Sequence, residues 1–102
     1  MNNTKWDELR LAMHSLGEVS PRWRTKDVET GFLPGWDGEW FHHFRIGGYE
    51  SIEWVEIRVT SPEQARQVVS ALKAIHVPGE KMDDGYRVFG FVEPGKPIDY
   101  IG

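Results

Sequence analysis

A chain of 102 residues, 39% hydrophobic and 27% charged, is long enough for one hydrophobic core and too short for two, so a single domain is expected over residues 1–102. Its formal charge of -4 argues against a nucleic-acid partner gripped through phosphates, which needs a basic surface. The absence of cysteine removes disulfides, thiolate catalysis and Cys-ligated zinc, no apolar run approaches the ~18 residues of a membrane span, and MNNTKWDELR lacks the basic-then-apolar pattern of a signal peptide, so a cytoplasmic setting is expected.

From the N-terminus, Thr4 is placed to cap a first helix, with Asp7 in its first turn. Trp6, Leu9, Met13 and Leu16 form one apolar stripe at helical spacing, and Gly17 is the stop. EVSP then leads into RWRTKDVET, residues 22–30, where weak alternation predicts an edge strand. GFLPGWDG, residues 31–38, reads as a loop. Its Phe32, Leu33 and Trp36 are expected to pack over something, because exposing all three is costly.

The most crowded stretch, GEWFHHFRIGGYESIEWVEI over residues 38–57, alternates at period two on both sides of Gly47-Gly48 and predicts a hairpin with strands 40–46 and 52–59. With Ile46 opposite Ser51, Trp40, His42, Phe44, Ile46, Glu53, Val55, Ile57 and Val59 turn toward the core. Phe41, His43, Arg45, Ile52, Trp54, Glu56 and Arg58 then turn outward. Ser61, Pro62 and Gln64 open a second helix as cap, first-turn proline and capping-box partner. Ala65, Val68, Val69, Leu72 and Ile75 are its buried stripe, and it ends before Pro78. GEKMDDG, residues 79–85, reads as a turn, YRVFGFV as a last strand, and residues 91–102 include a Pro/Gly-rich tail. The expected fold is α+β in the order α-β-β-β-α-β: two layers, a mainly antiparallel sheet with both helices packed on one face.

Chemistry-bearing residues are sparse. His42 and His43 are neighbours in the predicted strand and point to opposite faces, so they cannot share a metal ion. Glu53 and Glu56 are likewise on opposite faces, with no visible cleft between them. No nucleophile elbow, phosphate-binding glycine loop or HExxH is present, so no catalytic residue, metal ligand or cofactor is assigned, and an enzyme is the weaker reading. RVFGFV, residues 87–92, resembles the aromatic octapeptide of RNA-recognition-motif domains, with Arg87 toward phosphate and Phe89 and Phe91 toward bases. Three departures weigh against it: Val88 stands where glycine is usual, Pro94 takes the final aromatic position, and the strand follows the second helix instead of preceding it.

What remains is the outward face, where Phe41, Ile52 and Trp54 are ringed by His43, Arg45, Glu56 and Arg58. Apolar centre and charged rim are the composition of an interaction hot spot, so the first expectation is a non-enzymatic module binding a protein partner or a second copy of itself. The competing expectation is that the tail or the 31–38 loop covers that face. The alternative function is a small-molecule or enzymatic site between the WDG loop and the hairpin, where Trp36, Asp37, Glu39 and His43 would converge. A flat aromatic face favours the first reading and a concave pocket the second.

The segments KWDEL, PRWRTKD, WDGEWFHHFR, IEWVEI and IHVPGE resemble those of a small bacterial family of uncharacterised proteins that open with a KW-x-EL helix and share a WDGEW and HFR hairpin. The resemblance covers nearly the whole chain. It implies a bacterial cytoplasmic protein and brings no activity or site residue with it. Immunity-type proteins, which neutralise a toxin, are commonly small, acidic and cytoplasmic, and that association is general rather than residue-based.

Overall fold

A computed structural model describes residues 1–91 and 99–101. Helix α1 spans Asn3–Ser15 and is followed by a 3-10 turn at Gly17–Val19; then come strand β1 (Arg22–Asp27), a long loop with a 3-10 turn at His43–Arg45, β2 (Ile52–Arg58), α2 (Pro62–Ile75), β3 (Gly79–Met82) and β4 (Gly85–Phe89). The strands form one antiparallel sheet in the order β1-β2-β4-β3, with β1 at its edge as expected. The class is the expected one, α+β with two helices and an antiparallel sheet. Two segments exchange character within it: 40–46 is not a strand, and 79–82, read as part of a turn, is β3.

The first exchange has a clear local cause. The Glu39 carboxylate accepts from the backbone N–H of His42 at 2.6 Å and of His43 at 2.9 Å, as a helix N-cap does. The chain therefore turns instead of extending, and Trp40 and Phe44 meet in the core at helical i,i+4 spacing. Period two also puts positions 40 and 44 on one side, so the apolar pattern alone could not separate the two conformations. Ile46 decides it: a core residue in the predicted hairpin, it is 72% exposed. Four hydrogen bonds fix the turn. The Trp40 indole donates to Pro21 O (2.8 Å), the Trp23 indole to Glu39 O (3.1 Å), Arg10 Nη1 to Phe41 O (2.6 Å) and Tyr49 Oη to Asp7 Oδ1 (2.5 Å). Burial, and then the carboxylate it donates to, push the Tyr49 phenol up to about 12, so it stays a donor.

β2 pairs with β1 on one side and β4 on the other. Val55 and Ile57 stand beside Thr25 and Trp23, and beside Val88 and Tyr86, on the helix side of the sheet. They close a core with Trp6, Leu9 and Met13 of α1 and Val68 and Leu72 of α2. Trp6 and Trp40 are each 1% exposed. Burying rings of that size stabilises by roughly 4–6 kcal/mol apiece before ordering entropy is subtracted. Strand contact is close at Gly85, where a Cβ would stand 1.8 Å from Ile57 O.

Both helices end as polar chemistry dictates. Asn2, not Thr4, caps α1, its side chain accepting from Lys5 N at 2.8 Å. Ser61 caps α2 as expected, accepting from Gln64 N at 3.1 Å. The Gln64 side chain reaches back to Thr60 N and also donates to Val19 O, which ties the entry of α2 to the approach to β1. α2 ends at His76, in the left-handed region at φ 63, where Lys5 Nζ donates to the Ile75 and His76 carbonyls.

A bulge near the start of β2 reverses the alternation. Lys26 opposes Trp54 while Asp27 opposes Ile52, which leaves Glu53 as an extra residue. Ile52, expected outward, is therefore turned into the core at 6% exposure. Glu53, expected inward, pairs instead with Lys26 at 3.2 Å. Of the loop aromatics only Trp36 is packed; Phe32 is 66% exposed and Leu33 is exposed too. Val92 and the tail through residue 98 lie outside the described residues, while Tyr100 bridges to Pro78 and Ile101 is buried.

Candidate functional site

In antiparallel pairs directly opposed residues share a face, so the register alone names what points away from the helices. On that open face stand Arg22, Arg24 and Lys26 of β1, Trp54, Glu56 and Arg58 of β2, Arg87 and Phe89 of β4, and Glu80 and Met82 of β3. The side chains interlock. Arg24 Nε donates to Glu56 Oε1 at 2.7 Å, Arg87 Nη2 to Glu56 Oε2 at 3.0 Å, and Arg87 Nη1 to Glu80 Oε1 at 3.4 Å. The Arg87 guanidinium lies 4.3 Å from the centre of the Trp54 ring, with Lys26 Nζ at 6.0 Å. Trp36, arriving from the 31–38 loop, receives Arg24 at 4.5 Å and Arg58 at 5.7 Å. These are cation–π distances.

Glu56 is the hub. It is only 9% exposed, and burial by itself raises its pKa; the hydrogen bonds and charges of Arg24 and Arg87 more than offset this and hold the carboxyl below its ordinary value. An ionised carboxylate between two guanidiniums locks both arginines and, through them, the two tryptophan rings.

The sequence-predicted site residues separate into four places. Trp36, Trp54, Glu56 and Arg58 come together on the open face. Phe41 and Arg45 do not: Phe41 lies against α1, its ring 5.2 Å from His14 and 5.0 Å from the Arg10 guanidinium, with Arg45 at 5.8 Å. Asp37 and His43 form a third group, Nδ1 to Oδ2 at 2.9 Å, beside Glu39, whose N–H donates to Asp37 Oδ1 at 2.7 Å. The amides of His43 and His42 hold the Glu39 carboxyl below its usual range. Ile52 is in the core.

The convergence expected between the WDG loop and the 40–46 segment is thus partial, because Trp36 points to the other side of β1. A shallow cleft of about 220 Å³ does lie between the two segments, walled by Trp23, Phe32, Pro34, Phe44 and Ile46, with His43 on its rim. Residues that sequence reasoning missed are Arg22, Arg24, Lys26 and, as a partner of Trp54, Arg87. A signal existed: Arg22, Arg24 and Lys26 alternate at period two along one edge strand, which places three cations on one face.

The chain belongs to a family of unknown function, DUF6678, whose model matches residues 1–95. No curated protein and no solved structure matches it. Among the described residues no helix is long and apolar enough to cross a membrane.

Proposed function

We propose that the protein is a non-enzymatic interaction module of the bacterial cytoplasm, and that its open sheet face docks an acidic surface of a protein partner. One observation carries the reading: charge segregation. The chain holds 12 basic and 16 acidic residues, yet this face gathers five of the cations and only three carboxylates, counting Glu53 of the bulge. Between them stand Trp36, Trp54 and Phe89, all half-buried, with Arg24 over the Trp36 ring and Arg87 over the Trp54 ring. Rigid aromatics with arginines, ordered in advance, lose little entropy on binding. The centre of the face is strand-built and filled by interlocked side chains, which suits a partner surface better than a small ligand. An antitoxin role falls within this reading for a toxin whose contact surface is acidic.

The test is a titration of labelled protein with an acidic peptide in which Glu and Leu alternate. Shifts of the Trp36 and Trp54 indole N–H signals that weaken with salt and vanish in Trp54→Ala are expected. Binding of a single-stranded oligonucleotide in preference to the peptide would replace the reading with a nucleic-acid one. Light scattering over a concentration range covers the remaining occupant: a mass that doubles above 11.8 kDa and reverts in Trp54→Ala makes the partner a second copy.

The small-molecule alternative rests on the cleft beside His43. Its volume is below the ~300 Å³ at which ligand sites ordinarily begin.

A further inference from the structure

Arg22 and Arg58 oppose each other across β1 and β2. Like charges directly opposite on neighbouring strands are destabilising. Elsewhere on the same face the protein avoids this: Arg24 is set against Glu56 in the same ladder, and Arg87 is shared between Glu56 and Glu80. Arg22 and Arg58 make no ion pair or side-chain hydrogen bond among the described residues, and both are exposed. They wall a cleft of about 340 Å³ whose other lining residues are Ser20, Thr60 and Gln64. Among the described residues its lining is two guanidiniums, two hydroxyls and a carboxamide, with no carboxylate. One side of it is held in place: the Gln64 side chain accepts from Thr60 N at 2.8 Å and donates to Val19 O at 3.1 Å.

We infer that this cleft binds a phosphomonoester. Two opposed guanidiniums match a dianion, whereas a carboxylate neutralises only one of them. Each planar fork takes two oxygens of a tetrahedral anion, and Ser20 and Thr60, whose hydroxyl now donates to Gln64 Oε1 at 3.3 Å, line the same cleft. The volume leaves room for the phosphoryl group and the first atoms of whatever bears it. Ligand binding then supplies the counter-charge that the sheet itself withholds. The site lies on the open face beside the docking surface: it does not use Trp54, Glu56 or Arg87, but Arg22 and Arg58 are two of that surface's five cations and Arg58 also lies over Trp36.

The experiment is a nitrogen–proton correlation titration of the full chain at constant ionic strength, with sodium phosphate, with phosphoserine and with a neutral peptide carrying one phosphoserine, chloride serving as the control. Saturable shifts centred on Ser20, Arg22, Arg58, Thr60 and Gln64 are expected. Affinity should fall about tenfold or more in Arg58→Gln and again in the double variant with Arg22→Gln, while signals away from the cleft stay in place. Arg22 lies at an exposed sheet edge, so Arg22→Gln by itself keeps the proposal testable if the Arg58 variant folds poorly. Saturation by inorganic phosphate and phosphoserine points to a free anion, and saturation by the phosphopeptide alone to a group displayed on a partner; both support the site. Shifts that chloride reproduces, that do not saturate, or that survive both substitutions overturn it. Trp54→Ala should leave this titration unchanged, so failure here and failure of the docking reading are told apart.

Discussion

Trp6 and Trp40, under the helices, and Trp36 and Trp54, on the opposite side of the sheet, are the same residue in two solvents. The first pair is 1% exposed and touched by other rings: Trp6 by Phe44 at 5.9 Å, Trp40 by Trp23 at 5.7 Å. The second pair is half-buried and touched by cations, Arg87 on Trp54 and Arg24 on Trp36. Burial drives the helix side, and its contribution grows with area. Mutual orientation governs the open side, where ring, guanidinium and carboxylate alternate and each holds the next. A surface built the second way contributes little to folding and presents a fixed pattern of charge and apolar area to whatever approaches.

The largest expected effect therefore lies under the helices. Trp40→Ala removes a ring packed against Trp23 and Phe44 together with the indole bond to Pro21 O, and should destabilise by about 3–5 kcal/mol in urea unfolding. Trp54→Ala, the same substitution on the other face, should cost about 1 kcal/mol or less and still remove peptide binding. Equal losses at the two positions would erase the distinction between the faces.

Next comes the hub. Glu56→Gln keeps the shape and removes the charge, leaving Arg24 and Arg87 without their shared anion. Because the Arg24 and Arg87 side chains are 30% and 25% exposed, the expected loss at neutral pH is about 1–3 kcal/mol, short of the full cost of orphaning a buried charge. The sign with pH follows from the depressed carboxyl. Its stabilisation is complete above the ordinary value of 4.5 and is lost as pH falls through the lower folded value. The gap between wild type and Glu56→Gln should thus close below about pH 4.5. A gap of constant size from pH 7 to pH 3 would mean that the charge of Glu56 does not hold the lattice.

How much of this was legible in the sequence depends on which signal each residue sends. α2 could be read nearly complete, because Ser61, Pro62 and Gln64 each act within one turn of the backbone. β2 could be read as a strand, but not its bulge: nothing local in IEWVEIR shows that Glu53 has no partner residue on β1, and that one unpaired residue moved Ile52 from the outer face to the core. The 40–46 segment was misleading for a different reason. Trp40 and Phe44 satisfy both periods, and the deciding contact, the Glu39 carboxylate on two backbone amides, is made by a residue just before the segment. Trp54, Glu56 and Arg58 were correctly seen to share a face, while their neighbours Arg24 and Arg87 come from strands whose pairing is non-local. The phosphate-class cleft was not seen at all, since opposed arginines become visible only once the register is known.

The smallest effect is the most specific, because its sign runs against the usual outcome of mutation. Arg22 sits at the sheet edge, exposed, without an ion pair among the described residues and directly across from Arg58. Replacing an ordinary surface arginine loses a little packing and leaves stability within about 0.5 kcal/mol in either direction. Replacing one of two opposed like charges also removes repulsion, so Arg22→Gln should raise stability by a few tenths of a kcal/mol at low salt. The gain should shrink as added chloride screens the pair. With saturating phosphate present the order should reverse, because the wild type, which binds more tightly, gains more free energy from the ligand than the variant does. Thermal unfolding of both proteins at low salt, with and without phosphate, reads all of these signs. A variant less stable than wild type at low salt would show that Arg22 is held by contacts within the fold, and that the opposed pair needs no ligand to explain it.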